Sequence, residues 1–187
     1  DSGIDWIGDI PAHWEVKRVK EFVRLSQGLS VNSSEYVDES DVVLIRMGNI
    51  KKGGKIDLNH KNVYLPSKFK KSYKQYLLKE NDIIIAMTDM SPNLDFLGVP
   101  AKLIGLNKDL TYIVNQRVGK LNFKTKDLNI DYFKYYLMTP LAKNQFKAEG
   151  LGTIQGNMSD SHFSNLFFVQ PSLNEQNAIS DYLDEIC

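Results

Sequence analysis

The run Ile83-Ile84-Ile85-Ala86-Met87 limits the possible folds of this chain more than any other segment. It is unbroken, apolar and rich in β-branched residues, and the turn signal Asn81-Asp82 opens it. A strand of this kind has no polar face to offer water, so it must be covered on both sides. It therefore belongs in the middle of a layered domain. The 187 residues are 42% apolar, enough to supply those layers without disulfides or metals.

Shorter signals fill in the remainder. Val42 to Met47 reads as a second strand, closed by Gly48-Asn49. Val99 to Leu106, Tyr112 to Val114, Val118 to Phe123 and Leu166 to Val169 read as further short strands. Gly105 and the Asn107 to Asp109 cluster suggest a hairpin turn. Val19, Phe22 and Val23 suggest a helix-to-strand join that stops at Gly28. Phe133, Tyr136, Leu137 and Leu141 follow helical spacing, with a break expected at Thr139-Pro140 and a stop at Gly150. Ser172-Leu173-Asn174-Glu175 has the form of a capping box, and Ile179, Leu183 and Ile186 then form an apolar stripe. At the other end, Trp6 to Pro11 with Trp14 reads as an extended segment pinned by two buried tryptophans. The expected class is α+β, a curved mixed sheet with flanking helices. One compact domain spans 1–171, and 172–187 begins a further helix.

Cys187 is the only cysteine, so no internal disulfide framework exists and a reducing, cytoplasmic setting is expected. No apolar run reaches the roughly 18 residues of a membrane span, and the opening lacks the pattern of a signal peptide. The chain lacks an initiator Met and stops inside a helical pattern, as a piece of a longer protein would. Acidic and basic residues balance at 23 each, which by itself argues against binding nucleic acid. Their distribution is uneven. Nine lysines stand between Lys51 and Lys79 against Asp57 alone, a local charge of +8. The last stretch holds Glu175, Asp181, Asp184 and Glu185 with no base. A solvated lysine-rich surface remains the plainer reading of the lysine run.

The order of several motifs points further. Asp1-Ser2-Gly3-Ile4-Asp5-Trp6-Ile7-Gly8-Asp9-Ile10-Pro11 with His13-Trp14 resembles the opening of target-recognition domains in type I restriction-modification specificity subunits. Asn81-Asp82-Ile83-Ile84-Ile85-Ala86-Met87-Thr88 is similar to a strand pattern of that family. Val114-Asn115-Gln116-Arg117 and Gly150 to Met158 fall where the family places similar residues. Pro171-Ser172-Leu173-Asn174-Glu175-Gln176-Asn177-Ala178-Ile179 resembles its Pro-x-Leu-x-Glu-Gln-x-x-Ile signature. The resemblance spans the whole chain. It implies a non-catalytic reader of one half of a split site in double-stranded DNA, followed by the start of a spacer helix for a coiled coil. A second target-recognition domain, methyltransferase subunits and restriction (motor-nuclease) subunits would be its partners. No cofactor is implied in this chain; S-adenosylmethionine, ATP and Mg²⁺ would sit on the partner subunits. The reader domain of some adenine-N6 DNA methyltransferases is similar in fold.

The residues themselves carry little catalytic chemistry. There is no Asp/Asn-Pro-Pro-Tyr/Phe motif, no Gly-x-Gly-x-x-Gly and no Walker loop, and Gly53-Gly54-Lys55 has no phosphate-loop spacing. His13, His60 and His162 are scattered and read as structural. Glu15-Val16-Lys17, with Asp5 or Asp9, has the spacing of many Mg²⁺ nucleases, a pattern common by chance. A purely structural module acting through its C-terminal helix is the third reading.

For reading DNA, cations set register on phosphates while amides and guanidinium groups identify base edges. Four loops carry such groups. The first holds Arg46, Asn49, Lys51, Lys52 and Lys55. The second holds Thr88, Ser91 and Asn93, and the third Asn115, Gln116 and Arg117. The fourth, with Gly152, Thr153, Gln155 and Asn157, has glycines that allow backbone amides close to phosphate. Arg46 also reads as a polar residue on a strand face, and Asn115-Gln116-Arg117 as a structural turn. Ile179, Leu183 and Ile186 are the candidates for contact with a partner helix.

Overall fold

The computed structural model describes residues 2–150 and 156–186. In chain order the elements are β1 (Glu15–Arg18), β2 (Val23–Gln27), β3 (Val42–Ile45), α1 (Phe69–Ser72), β4 (Leu77–Leu78), β5 (Ile83–Ala86), β6 (Thr88–Asp89), β7 (Pro100–Lys102) and β8 (Thr111–Val114). They continue with β9 (Val118–Phe123), α2 (Ile130–Met138), α3 (Pro140–Gly150), β10 (Gly156–Asn157), α4 (Asp160–Ser164), β11 (Phe167–Gln170) and α5 (Leu173–Ile186).

The apolar run behaves as its composition demands. β5 lies inside a four-stranded antiparallel sheet ordered β2-β9-β5-β7. Ile83, Ile85 and Met87 enter a core shared with α2, α3 and α4, while Ile84 and Ala86 enter a second core with Val43, Ile45 and Val114. Burying each isoleucine contributes about 2–3 kcal/mol. β3 repeats the pattern one layer further out. Its Val43 and Ile45 face the second core, and Val42 and Leu44 face a third one with Leu65 and Phe69. The layers therefore run helices, four-stranded sheet, three-stranded sheet (β3-β8-β4), then α1. Parallel pairing occurs between β3 and β8, which makes the second sheet mixed.

Phe168, fully buried on β11, is the hub of the helical side. Phe22, Phe133, Tyr132 and Tyr136 meet it edge-on at centroid distances of 4.9–6.0 Å. Such pairs add about 0.5–1.5 kcal/mol each beyond burial. The α2–α3 break falls at Thr139, whose hydroxyl accepts the Ala142 N–H at 3.3 Å. The capping box of α5 forms as well: Glu175 N–H donates to Ser172 Oγ at 3.4 Å, and Ser172 N–H to Glu175 Oε2 at 3.1 Å.

The α+β class with helices flanking open sheets matches the expectation, with the strands divided among several sheets. Two expectations need correcting. Trp6 is 50% exposed, touching Phe167 edge-on at 5.7 Å, and Trp14 is only partly buried. Large apolar area favours burial without dictating it, and Trp14 uses its indole N–H on Glu175 instead, at 3.1 Å. The expected hairpin at Gly105 is a crossover. Gly105 takes φ 75°, and its N–H and that of Leu106 bind the Glu80 carboxylate at 2.8 and 3.0 Å. Yet β7 pairs with β5 while β8 pairs with β3 and β4. A turn signal reports where the chain bends, and strand partners are chosen by burial.

Candidate nucleic-acid interface

Four polar segments leave the layers at neighbouring strand ends. Ile45 closes β3 and its carbonyl accepts the Asn115 N–H at 2.9 Å, which sets Arg46 beside the Asn115–Arg117 turn after β8. The Arg117 carbonyl accepts the Met87 N–H at 3.0 Å, which sets that turn beside the end of β5. Met87 in turn accepts from Met158 N–H at 2.8 Å, and Thr88 lies opposite Asn157 in the β6–β10 pair. Arg46, Gln116, Arg117, Thr88 and Asn157 thus come from four distant stretches onto one edge. The Lys51–Lys55 loop joins them from the side. Its Gly54 is pressed so near the Pro100 carbonyl that an added Cβ would stand 2.7 Å from that oxygen, and Pro100 pairs with Ile85.

Within this edge lies a cleft of about 460 Å³, lined by Tyr36, Arg46, Met47, Gly48, His60, Asn115, Gln116 and Arg117. Two guanidinium groups and an imidazole face it, and among the described residues no carboxylate lines it. That charge pattern suits an anionic ligand. Arg46 is half-buried and donates from Nη2 to the Lys61 carbonyl at 2.8 Å, while Arg117 is exposed. Tyr36 carries no signal in the sequence, and His60, which reads there as structural, lines this cleft. Tyr36 arrives through the bridge of its neighbour Val37 to Tyr64, and His60 packs against Gly48. No spacing rule links either residue to Arg117. A larger, more apolar hollow of about 500 Å³ lies by Trp6, Phe146 and Phe167, and among the described candidates only Asn157 reaches it.

Some candidates are engaged in hydrogen bonds within the protein. Asn49 is 2% exposed, its Oδ1 accepting Arg46 N–H and its Nδ2 donating to the Asp57 carbonyl, both at 2.8 Å. Asn115 is likewise buried: its Oδ1 accepts Arg117 N–H at 3.3 Å and its Nδ2 donates to Gln116 Oε1. Both amides shape the turns on which Arg46 and Arg117 stand. Ser91 donates its hydroxyl to Asp89 Oδ2 at 2.9 Å and takes the Asp95 N–H at 3.1 Å. Burial disfavours the charged form of Asp89. The N–H groups of Ser91 and Phe96, the Ser91 hydroxyl and the Leu97 N–H outweigh it and hold the carboxyl below the ordinary range. Asp89 thereby anchors the loop in which Asn93 is exposed. Lys52 and Lys55 are exposed, and Lys51 reaches the Gly48 carbonyl at 2.7 Å. Gly152, Thr153 and Gln155 lie outside the described residues.

The lysine run is less unbalanced than its sequence. Lys70 pairs with Asp41 and Lys68 with Glu35 at 3.8 Å, both carboxylates coming from outside the run. The Lys70 and Ser67 side chains lower the Asp41 pKa. On α5, Ile179 packs on the helical core and lines a groove with Leu183, Tyr132 and Tyr136, while Ile186 is 60% exposed. In the nuclease-like pair, Glu15 holds Lys17 at 2.5 Å along β1, with the ammonium also 5.7 Å from the Phe22 ring. Among the described residues no group of three or more His, Cys, Asp or Glu is placed to hold a metal.

Residues 11–187 match the family described as type I restriction modification DNA specificity domain. The chain is 31% identical over 182 residues to the specificity subunit of the type I restriction enzyme MjaVIII of Methanocaldococcus jannaschii, covering 96% of itself and 41% of that relative. It is similar in fold to a chain from a study of type I restriction-modification complex assembly (TM-score 0.66, 19% identity, 96% of this chain and 39% of that one). It is similar also to the crystal structure of a specificity subunit from Thermoanaerobacter tengcongensis (TM-score 0.61, 20% identity, 96% and 38%). The chain therefore spans about two fifths of the length of these relatives.

Proposed function

Because this chain belongs to the family of type I restriction-modification DNA specificity domains, we propose that it reads one half of a split duplex site through the edge where β3, β5 and β8 end. The family's role is DNA sequence specificity and not catalysis. The observation that carries the finer reading is the convergence of Arg46, Gln116, Arg117, Thr88 and Asn157 on that edge beside a cationic cleft. Arg117 and Gln116 have donor and acceptor spacings suited to guanine and adenine edges in the major groove. Lys52 and Lys55, on the flank, suit phosphates and fix register without reading sequence.

In this reading residues 1–171 form the recognition domain and 172–187 begin a spacer helix, with Leu183 and Ile186 available to a partner helix. A second recognition domain supplies the other half-site. Methyltransferase subunits carry S-adenosylmethionine, restriction subunits carry ATP and Mg²⁺, and this chain needs no cofactor. The setting is cytoplasmic; no helix among the described residues is long and apolar enough to cross a membrane.

The test is selection from random duplex DNA near physiological salt, with this chain and with the full-length subunit, methyltransferase present. Enrichment of one short motif by the chain, recurring as half of a split motif selected by the full subunit, is expected. Retention without enrichment would reduce the edge to a basic surface. No retention by either protein would overturn the reading in favour of a structural module.

A further inference from the structure

The first turn of α5 is fastened by directional polar bonds. Gln176 is fully buried. Its Oε1 accepts the Asn129 N–H at 2.9 Å, and its Nε2 donates to the Pro171 carbonyl at 2.9 Å and the Asp127 carbonyl at 3.4 Å. Asn177 Oδ1 accepts from Asn129 Nδ2 at 2.7 Å, while Asn129 Oδ1 caps α2 through Tyr132 N–H at 2.8 Å. Glu175 reaches the N-terminal segment: its Oε1 takes the Trp14 indole N–H and lies 2.8 Å from the His13 ring. Toward the last turn, the Tyr135 hydroxyl donates to Asp184. A helix seated only on its apolar stripe can roll or slide cheaply, because apolar contact has no direction. Here a roll would strand the buried amide of Gln176, and unsatisfied buried amides are costly.

We propose that the lock of Gln176 on Asn129, seconded by the Glu175 clamp on Trp14, sets the direction in which α5 leaves the domain and so selects the spacing between half-sites. This rests on the spacer role proposed above. Gln176 is a positioning residue: it touches no base, and it acts by making the recognition edge and the spacer one rigid piece. One base pair of extra spacing turns a half-site by about 35° around the duplex, so even a modest loosening of α5 widens the range of spacings tolerated.

Two measurements test this. In a Cys187→Ser background, spin labels at Ser34→Cys and Asp181→Cys, both exposed, report the distance distribution between domain and helix. Gln176→Ala is expected to widen it about twofold. In the full-length subunit with its methyltransferase, binding to split sites one base pair longer or shorter than the preferred one is compared. The wild type should discriminate by about tenfold and Gln176→Ala by less than about threefold, with the half-site motif unaltered. Asn177→Ala, at an exposed position, should give the same change in smaller measure if Gln176→Ala fails to fold. An unchanged distribution, unchanged discrimination, or an altered half-site motif would each overturn the proposal. Failure of the wild-type subunit to select any split motif would instead overturn the recognition reading, and the label distances would still judge the lock.

Discussion

Buried amides serve two separate regions of the molecule, and the contrast lies in what each one holds in place. At the proposed recognition edge, Asn115 is buried inside a turn on which Arg117 stands exposed at a cleft. At the α2–α5 seam, Gln176 is buried and the bonds around it close on the protein itself, from Asn129 to Pro171. The first arrangement presents polar groups outward on a stiff support, as a recognition surface requires. The second fixes an angle. A buried amide thus marks rigidity in both places: at the Asn115 turn an exposed guanidinium stands beside a cleft, whereas at the seam the exposed neighbour Asn177 is bonded back to Asn129.

The sharpest way to break the contrast is Gly28→Ala. The added Cβ would stand 2.3 Å from the Asn115 carbonyl oxygen, backbone that cannot step aside. We expect a loss of about 3 kcal/mol in urea unfolding, together with loss of DNA retention because the turn is displaced. Gln176→Leu should cost about 2 kcal/mol in the same assay, since it orphans the Asn129 N–H and the Pro171 carbonyl, yet leave the selected half-site motif intact. A shift of motif would dissolve the separation of the two regions.

Arg117→Ala should do the converse. Stability should move by less than about 0.5 kcal/mol, while affinity falls about tenfold with specificity relaxed at one position. Lys52→Ala should weaken all duplexes alike and reduce the salt slope by about one. If both variants behaved alike, base reading could not be assigned to the cleft.

The smallest effect concerns acid. Side-chain bonds from His13, Ser172 and Trp14 lower the Glu175 pKa from 4.5 to about 2. A carboxylate depressed on folding stabilises fully above its unfolded value and loses that contribution as pH falls through the folded one. The stability difference between wild type and Glu175→Gln should therefore be constant above about pH 5 and shrink toward pH 2. It should be small throughout, because the pair is solvent-exposed. A difference that grew on acidification would contradict the clamp.

Much of the frame was legible in the residues alone. Ile83 to Met87 had to be a strand covered on both faces, Thr139-Pro140 had to break a helix, and Ser172 with Glu175 had to start one. Each follows from local rules: side-chain periodicity, the missing proline N–H, and reciprocal capping. Which segments meet was decided by the tertiary structure. The sequence could not show that Arg46, Arg117 and Asn157 share an edge, that Tyr36 and His60 complete its cleft, or that Asp41 and Glu35 answer the lysine run. Nor could it separate Asn49 and Asn115, which hold turns, from Arg117, which is exposed at the cleft. An amide reads the same in sequence whether it is buried in a turn or open to solvent, and its burial and hydrogen-bond partners are fixed only by the neighbours that the tertiary structure brings to it.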